Sequence, residues 1–222
     1  MIRQSIFVIA LASTAAYSQD KAAIQQKIGE IKQSIGQNQA QLKQYAWTET
    51  TEIALKGEDK KRSQNDCRYG PDGKVQKTPI GSAPPPAQKR GLKGKIVEKK
   101  VGEMKEYMDR VGSLIKRYVP PDPQDMQASF QAGKASLNPG AGQLVFTDYA
   151  KPGDKVTLTI DPATKKIRSF VVATYLDEPK DVVALDANFN SLPDGTNYVE
   201  TTVLNATAKE IVVTTTNSGY HK

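Results

Sequence analysis

The chain has 222 residues, a formal net charge of +7, 38% hydrophobic and 7% aromatic residues, and a single cysteine. A lone Cys67 excludes an internal disulfide, so stability must come from packing and hydrogen bonding. The length is ample for a real core, and the modest aromatic supply suits a single curved sheet better than a thick two-faced one.

Residues 1–18, MIRQSIFVIALASTAAYS, have the order of an export signal. Arg3 gives a short positive start, Ile6 to Ala12 are unbroken apolar, and Ala16 and Ser18 are small residues where a signal peptidase reads. The apolar run is far short of the roughly 20 residues a spanning helix needs. The mature chain is therefore expected to start near Gln19, to be periplasmic or secreted, and to form one domain over residues 19–222. Cys67 stands too far from the leader to be a lipidated N-terminus, so a lipoprotein is not expected.

Residues 20–44 read as a helix, with Ile24, Ile28, Ile31, Ile35 and Leu42 at three- and four-residue steps and Asn38 where the stripe should continue. The stripe is narrow, which suits packing across a sheet or against one other helix; a self-associating coiled coil is the weaker option. At Tyr45 the period changes to two. Tyr45, Trp47, Thr51, Ile53 and Leu55 share one face of a strand, interrupted by Glu49. Lys56–Asp59 is a turn, Lys60–Tyr69 a polar return strand, Gly70–Gly73 a second turn and Lys74–Ile80 a third strand.

Residues 81–95, GSAPPPAQKRGLKGK, read as an exposed loop because the prolines remove donors and favour extended backbone. They lie in a basic block. Residues 56–117 carry 17 basic and eight acidic side chains, against five and four in 1–55 and nine and twelve in 118–222. Val97, Val101, Met104, Met108, Val111, Ile115 and Tyr118 then form an unbroken apolar stripe along a helix that Pro120-Pro121 ends. Asp122 and Pro123 start another helix as cap and first residue, with Met126 and Phe130 on its face and Gly133 at its close. From residue 134 onward the pattern is strands and turns, with turn signals every 10–16 residues, the spacing of an antiparallel meander. The strand from Ile167 to Leu176 is apolar on both faces, so cover on both sides, or a cavity on one, is expected.

This order of elements resembles the LolA/LolB-like family of periplasmic lipoprotein carriers, which includes RseB-type regulators. GDKVTLTIDPATKKIRSFVVATYLD (153–177) is similar to that family's strand–Asp-Pro-x-Thr–strand hairpin, and QLKQYAWTETTEIALKGEDKK (41–61) to its helix-to-first-strand passage. The resemblance implies an α+β fold: a curved antiparallel β-sheet, an incomplete barrel, with the N-terminal helix and the central helical pair packed on it. It further implies an apolar interior that takes acyl chains, and a part in sorting lipoproteins to an outer membrane.

No Walker loop, GxSxG elbow, HExxH helix or CxxC pair occurs, and the one histidine, His221, adjoins the chain end where nothing can hold it as a base or ligand. Asp177, Glu178 and Asp181 crowd one turn at a spacing that fits no EF-hand. The expectation is a protein that is not an enzyme, with no cofactor and no metal. Methionines adapt to variable apolar guests, so Met104 and Met108, with Val111, are expected to line a lid. Trp47, Ile53, Leu55, Leu158, Phe170, Val172 and Phe189 are expected to line the sheet side around an apolar ligand or lipid acyl chain. Lys89, Arg90, Lys93, Lys95, Lys99 and Lys100 would form a basic rim for anionic head groups or an acidic envelope protein. Sparse aromatics beside these lysines argue against nucleic acid as a partner, and a monomer is expected. The alternative is an interaction module with a filled core that docks another protein through its basic loop and helix.

Overall fold

A computed structural model describes residues 10–81 and 92–222, with side chains described for 21–81 and 99–222. Residues 1–9 and the proline-rich segment with Lys89 and Arg90 lie outside the described residues, as do the side chains of Lys93 and Lys95. The described chain runs α1 (Ala10–Leu42), β1 (Ala46–Leu55), β2 (Glu58–Tyr69), β3 (Val75–Pro79), α2 (Leu92–Ile115) and α3 (Pro123–Gln131). It continues through β4 (Ala135–Asn138), β5 (Gln143–Thr147), β6 (Lys155–Ile160), β7 (Ile167–Tyr175), β8 (Val182–Ser191), β9 (Asn197–Ala206) and β10 (Ile211–His221).

All ten strands form one antiparallel sheet in the order β3-β2-β1-β10-β9-β8-β7-β6-β5-β4, which does not close on itself. The fold is thus α+β, a curved open sheet with an N-terminal helix and a central helical pair on one face. The last strand sits in the middle, between β1 and β9.

Local chemistry accounts for most boundaries. The Asp122 carboxylate accepts from the Gln124 amide at 2.7 Å and Pro123 opens α3, so cap and proline act together. The connection from β4 enters β5 at Gly142, beside the end of β6, with a φ of +63°. A Cβ there would lie 2.6 Å from the Ile160 carbonyl oxygen, so only glycine allows that approach. Two helix starts differ from the sequence reading: α1 begins at Ala10 rather than at residue 20. Helix α2 begins at Leu92, inside the segment read as a loop, because lysines are good helix formers and only Gly94 opposes extension back towards the prolines.

Register organises the interior into rows on the helix-covered face. One runs Ile53, Val213, Leu204, Leu185, Val172, Val156, Phe146, Ala135 from β1 to β4. The next runs Thr51, Thr215, Thr202, Ala187, Phe170, Leu158, Leu144, Leu137. Ile24, Ile28 and Ile31 of α1, Val111, Leu114 and Tyr118 of α2 and Met126 of α3 are buried in the same core.

For β7, expected to have cover on both sides or a cavity on one, the structure gives full cover on one side and partial cover on the other. A register shift between Thr159 and Ile160 pairs Ile160 with Ile167 and leaves Arg168 as the extra residue. Ile167 therefore joins Phe170, Val172 and Thr174 in burial, while Val171 and Tyr175 are only half-buried. Glu49, the interruption on β1, has its own partner. Its carboxylate takes Lys77 of β3 at 2.6 and 2.7 Å and Asn65 of β2 at 3.4 Å.

Candidate functional site

Helix α2 crosses the ends of the strands, and its contacts step across the sheet. Tyr118, beyond its last turn, donates to Asp154 at 2.7 Å and lies 2.9 Å from the Thr174 hydroxyl of β7. Arg110 pairs with Asp177 after β7, and Tyr107 donates to Asp181, just before β8, at 2.8 Å. Lys209, between β9 and β10, places its ammonium 6.0 Å from the Tyr107 ring centre. Beyond this point the helix leaves the body. Every residue from 99 to 103 is exposed, including Val101, 62% exposed although it belongs to the apolar stripe.

Burial along that stripe is graded. Val111 and Tyr118 have no exposed surface, Met108 and Met104 are partly buried, and Val101 stands in solvent. The sheet shows the same gradient in the same direction. Leu185, Val172, Val156 and Phe146 of the first row are buried, whereas Ile53, Val213 and Leu204 on β1, β10 and β9 are partly exposed. In the second row the apolar residues give way to Thr51, Thr215 and Thr202 at that end. Cover is thus lost along α2 from Val111 towards Val101, and across the sheet from β8 towards β9, β10 and β1.

The ten residues expected to line a cavity therefore separate. Val111, Leu158, Phe170 and Val172 are fully packed core, with no water-sized space beside them, because α1, α2 and α3 all press on that half of the sheet. They line no hollow in this structure. Trp47 lies at the opposite end of β1 from Leu55, about 26 Å away along an extended strand. It stacks on Tyr220 with ring centres 5.5 Å apart and donates its indole N–H to Asn217 at 3.1 Å. Phe189 is also at that far end, opposite Val199, where α1 meets β9. Ile53, Leu55, Met104 and Met108 remain in the half-covered region, joined by Val213 and Leu204. Only the pairing of β1 with β10 and β10 with β9 brings those two beside Ile53. Of the basic rim, Lys99 and Lys100 are exposed on α2.

Two open grooves mark the surface. One, of about 600 Å³, runs along the polar side of α2 past Lys105, Glu106, Asp109 and Arg110 to Leu176. The other, of about 430 Å³, lies between α1 and α3 and is edged by Gln25, Gln124, Gln127 and Gln131. Neither lies between the apolar stripe of α2 and the sheet.

The acidic turn is occupied by protein groups: Asp177 by Arg110, Asp181 by Tyr107 and Glu178 by Lys180 at 2.7 Å. Burial, then the bond to Asp181, pushes the Tyr107 phenol up to about 12. Among the described residues, no three His, Cys, Asp or Glu side chains converge as a metal site. Nor is any described helix long and apolar enough to cross a membrane. Cys67 is buried, and burial with the charge of Glu49 pushes its thiol up. His221 is exposed, its Nδ1 3.0 Å from the Gly219 carbonyl. No family model, curated protein or solved structure matches the chain.

Proposed function

We propose that the chain is an exported, non-catalytic binding protein of the carrier type, which holds an apolar ligand such as a lipid acyl chain. The ligand would lie between the Met104 and Met108 turns of α2 and the β1–β10–β9 part of the sheet. One observation carries this reading: the apolar stripe of the helix and the apolar row of the sheet each continue out of the buried core as part-covered surface, Met108 and Met104 on the helix and Leu204, Val213 and Ile53 on the sheet. Burying an acyl chain there is worth about 0.8 kcal/mol per methylene, so affinity needs few polar contacts. Met104 and Met108 are unbranched and adaptable, as a wall that must fit chains of varying length requires.

The supporting experiment is extraction and mass spectrometry of natively purified protein, with uptake of a fluorescent fatty acid by the delipidated form. Co-purified lipid and saturable uptake support the reading; absence of both overturns it. The packed interior over β5–β8 favours a second reading, in which the half-covered end receives a segment of another protein. In that case uptake fails while the protein still binds a partner through the same residues.

A further inference from the structure

We infer that the exposed turn of α2, residues 99–103, is a docking element for an anionic membrane surface. The inference rests on the carrier reading for its purpose, since it places the mouth of the proposed site against the source of its ligand. Its geometry stands separately. Helix residues packed on a protein show one buried face per turn, yet here five consecutive residues, Lys99 to Glu103, are all exposed. This length of helix gives all its sides to solvent, with only Gly102 at the edge of the groove along α2, which suits a soft, extended surface better than a shaped protein partner.

Its composition is that of an interfacial helix. Val101 presents an uncovered apolar side chain, and Lys99, Lys100 and Lys105 surround it with long cationic side chains that can reach head groups while the stem stays apolar. Glu103 is held 3.9 Å from Lys99, and Glu106 lies one turn further on. Over residues 93–106 the sequence has five lysines against three glutamates, Glu98 included, and this excess favours phosphate-bearing lipid over a neutral surface. The helix is too polar to insert deeply, so the contact is reversible and sensitive to salt.

The test uses the full chain carrying Val101→Cys, labelled with an environment-sensitive fluorophore; Cys67 is buried and leaves position 101 as the reactive thiol. Vesicles of phosphatidylglycerol mixed with phosphatidylcholine should shift the emission to the blue, and 0.5 M salt should reverse the shift. Adding Lys99→Glu and Lys100→Glu to the labelled chain should raise the lipid concentration for half-maximal shift about tenfold. A label at Asn188→Cys, exposed on the outer side of the sheet, should stay aqueous. An unchanged emission at position 101, an equal response to pure phosphatidylcholine, or a charge-reversed variant that docks normally would each overturn the proposal. The label reports on this turn alone, so a chain that fails to take up fatty acid but docks here separates the two conclusions.

Discussion

Asn38 of α1 bonds both backbone groups of Asn197 at the start of β9: its Nδ2 donates to the carbonyl at 2.5 Å, and its Oδ1 accepts from the amide at 2.6 Å. The side-chain amide stands in for a neighbouring strand and fixes the helix to the sheet at one register. This is why a polar residue interrupts the isoleucine stripe. Replacing Asn38 with leucine would complete the stripe and leave two backbone groups without partners. The expected result is a loss of about 1–3 kcal/mol in urea unfolding; a more stable variant would show that burial outweighs the paired bonds.

Core and mouth should respond differently to truncation. Leu158→Ala removes fully buried volume and should cost about 2–5 kcal/mol while leaving fatty-acid uptake intact in the folded fraction. Met104→Ala with Met108→Ala removes partly exposed groups and should cost less, about 1–2 kcal/mol, while uptake falls strongly. Uptake titrations beside denaturant curves check both. Equal stability costs with unchanged uptake would mean that the methionines are ordinary core.

Alkaline pH should destabilise the protein before lysines titrate fully. Burial raises the phenols of Tyr118, Tyr149 and Tyr220 well above their ordinary value, and Tyr107 to about 12. Unfolded tyrosines lose their protons near pH 10. Between pH 10 and 12 the unfolded state then binds fewer protons than the folded state, so stability present below pH 10 falls as pH rises. Absorbance near 295 nm at pH 10.5 should show fewer than the nine tyrosines ionised in the folded chain, and the missing ones on adding urea. Full ionisation without unfolding would contradict the burial.

Cys67 offers a clock for the opening of the β1–β3 region. Its thiol is buried beside its register partner Trp47 and is held in the neutral form. At pH 8 a thiol reagent should react slowly with the folded chain and quickly in denaturant. The folded-state rate should follow the fraction opened, so Glu49→Gln, which weakens the tie to Lys77, should speed it. Rapid labelling of the unmodified chain would show that these strands open readily.

The sequence was most legible where causes are local. The Asp122 cap with Pro123, the stripe of α2 and the hairpin turns each depend on neighbours within a few residues. The antiparallel sheet followed from them. Less legible were features made by distant partners: the Asn38–Asn197 clasp, the Glu49–Lys77 pair, and the extra Arg168 that turns Ile167 inward. The residues expected to line a cavity were divided for the same reason. Nothing in the residue pattern says that three helices crowd Leu158 and Phe170 while Ile53 and Val213 are left part-covered. That depends on the pairing of β1 with β10, from opposite ends of the chain.

The central place of β10 has a consequence for how the sheet holds together. Within it, β1, β2 and β3 reach the remaining strands only through the eleven residues Ile211–His221. Breaking that one ladder, as a proline at Thr214 would, parts the sheet in two and leaves α1, with its clasp on Asn197, as the remaining tie between the parts.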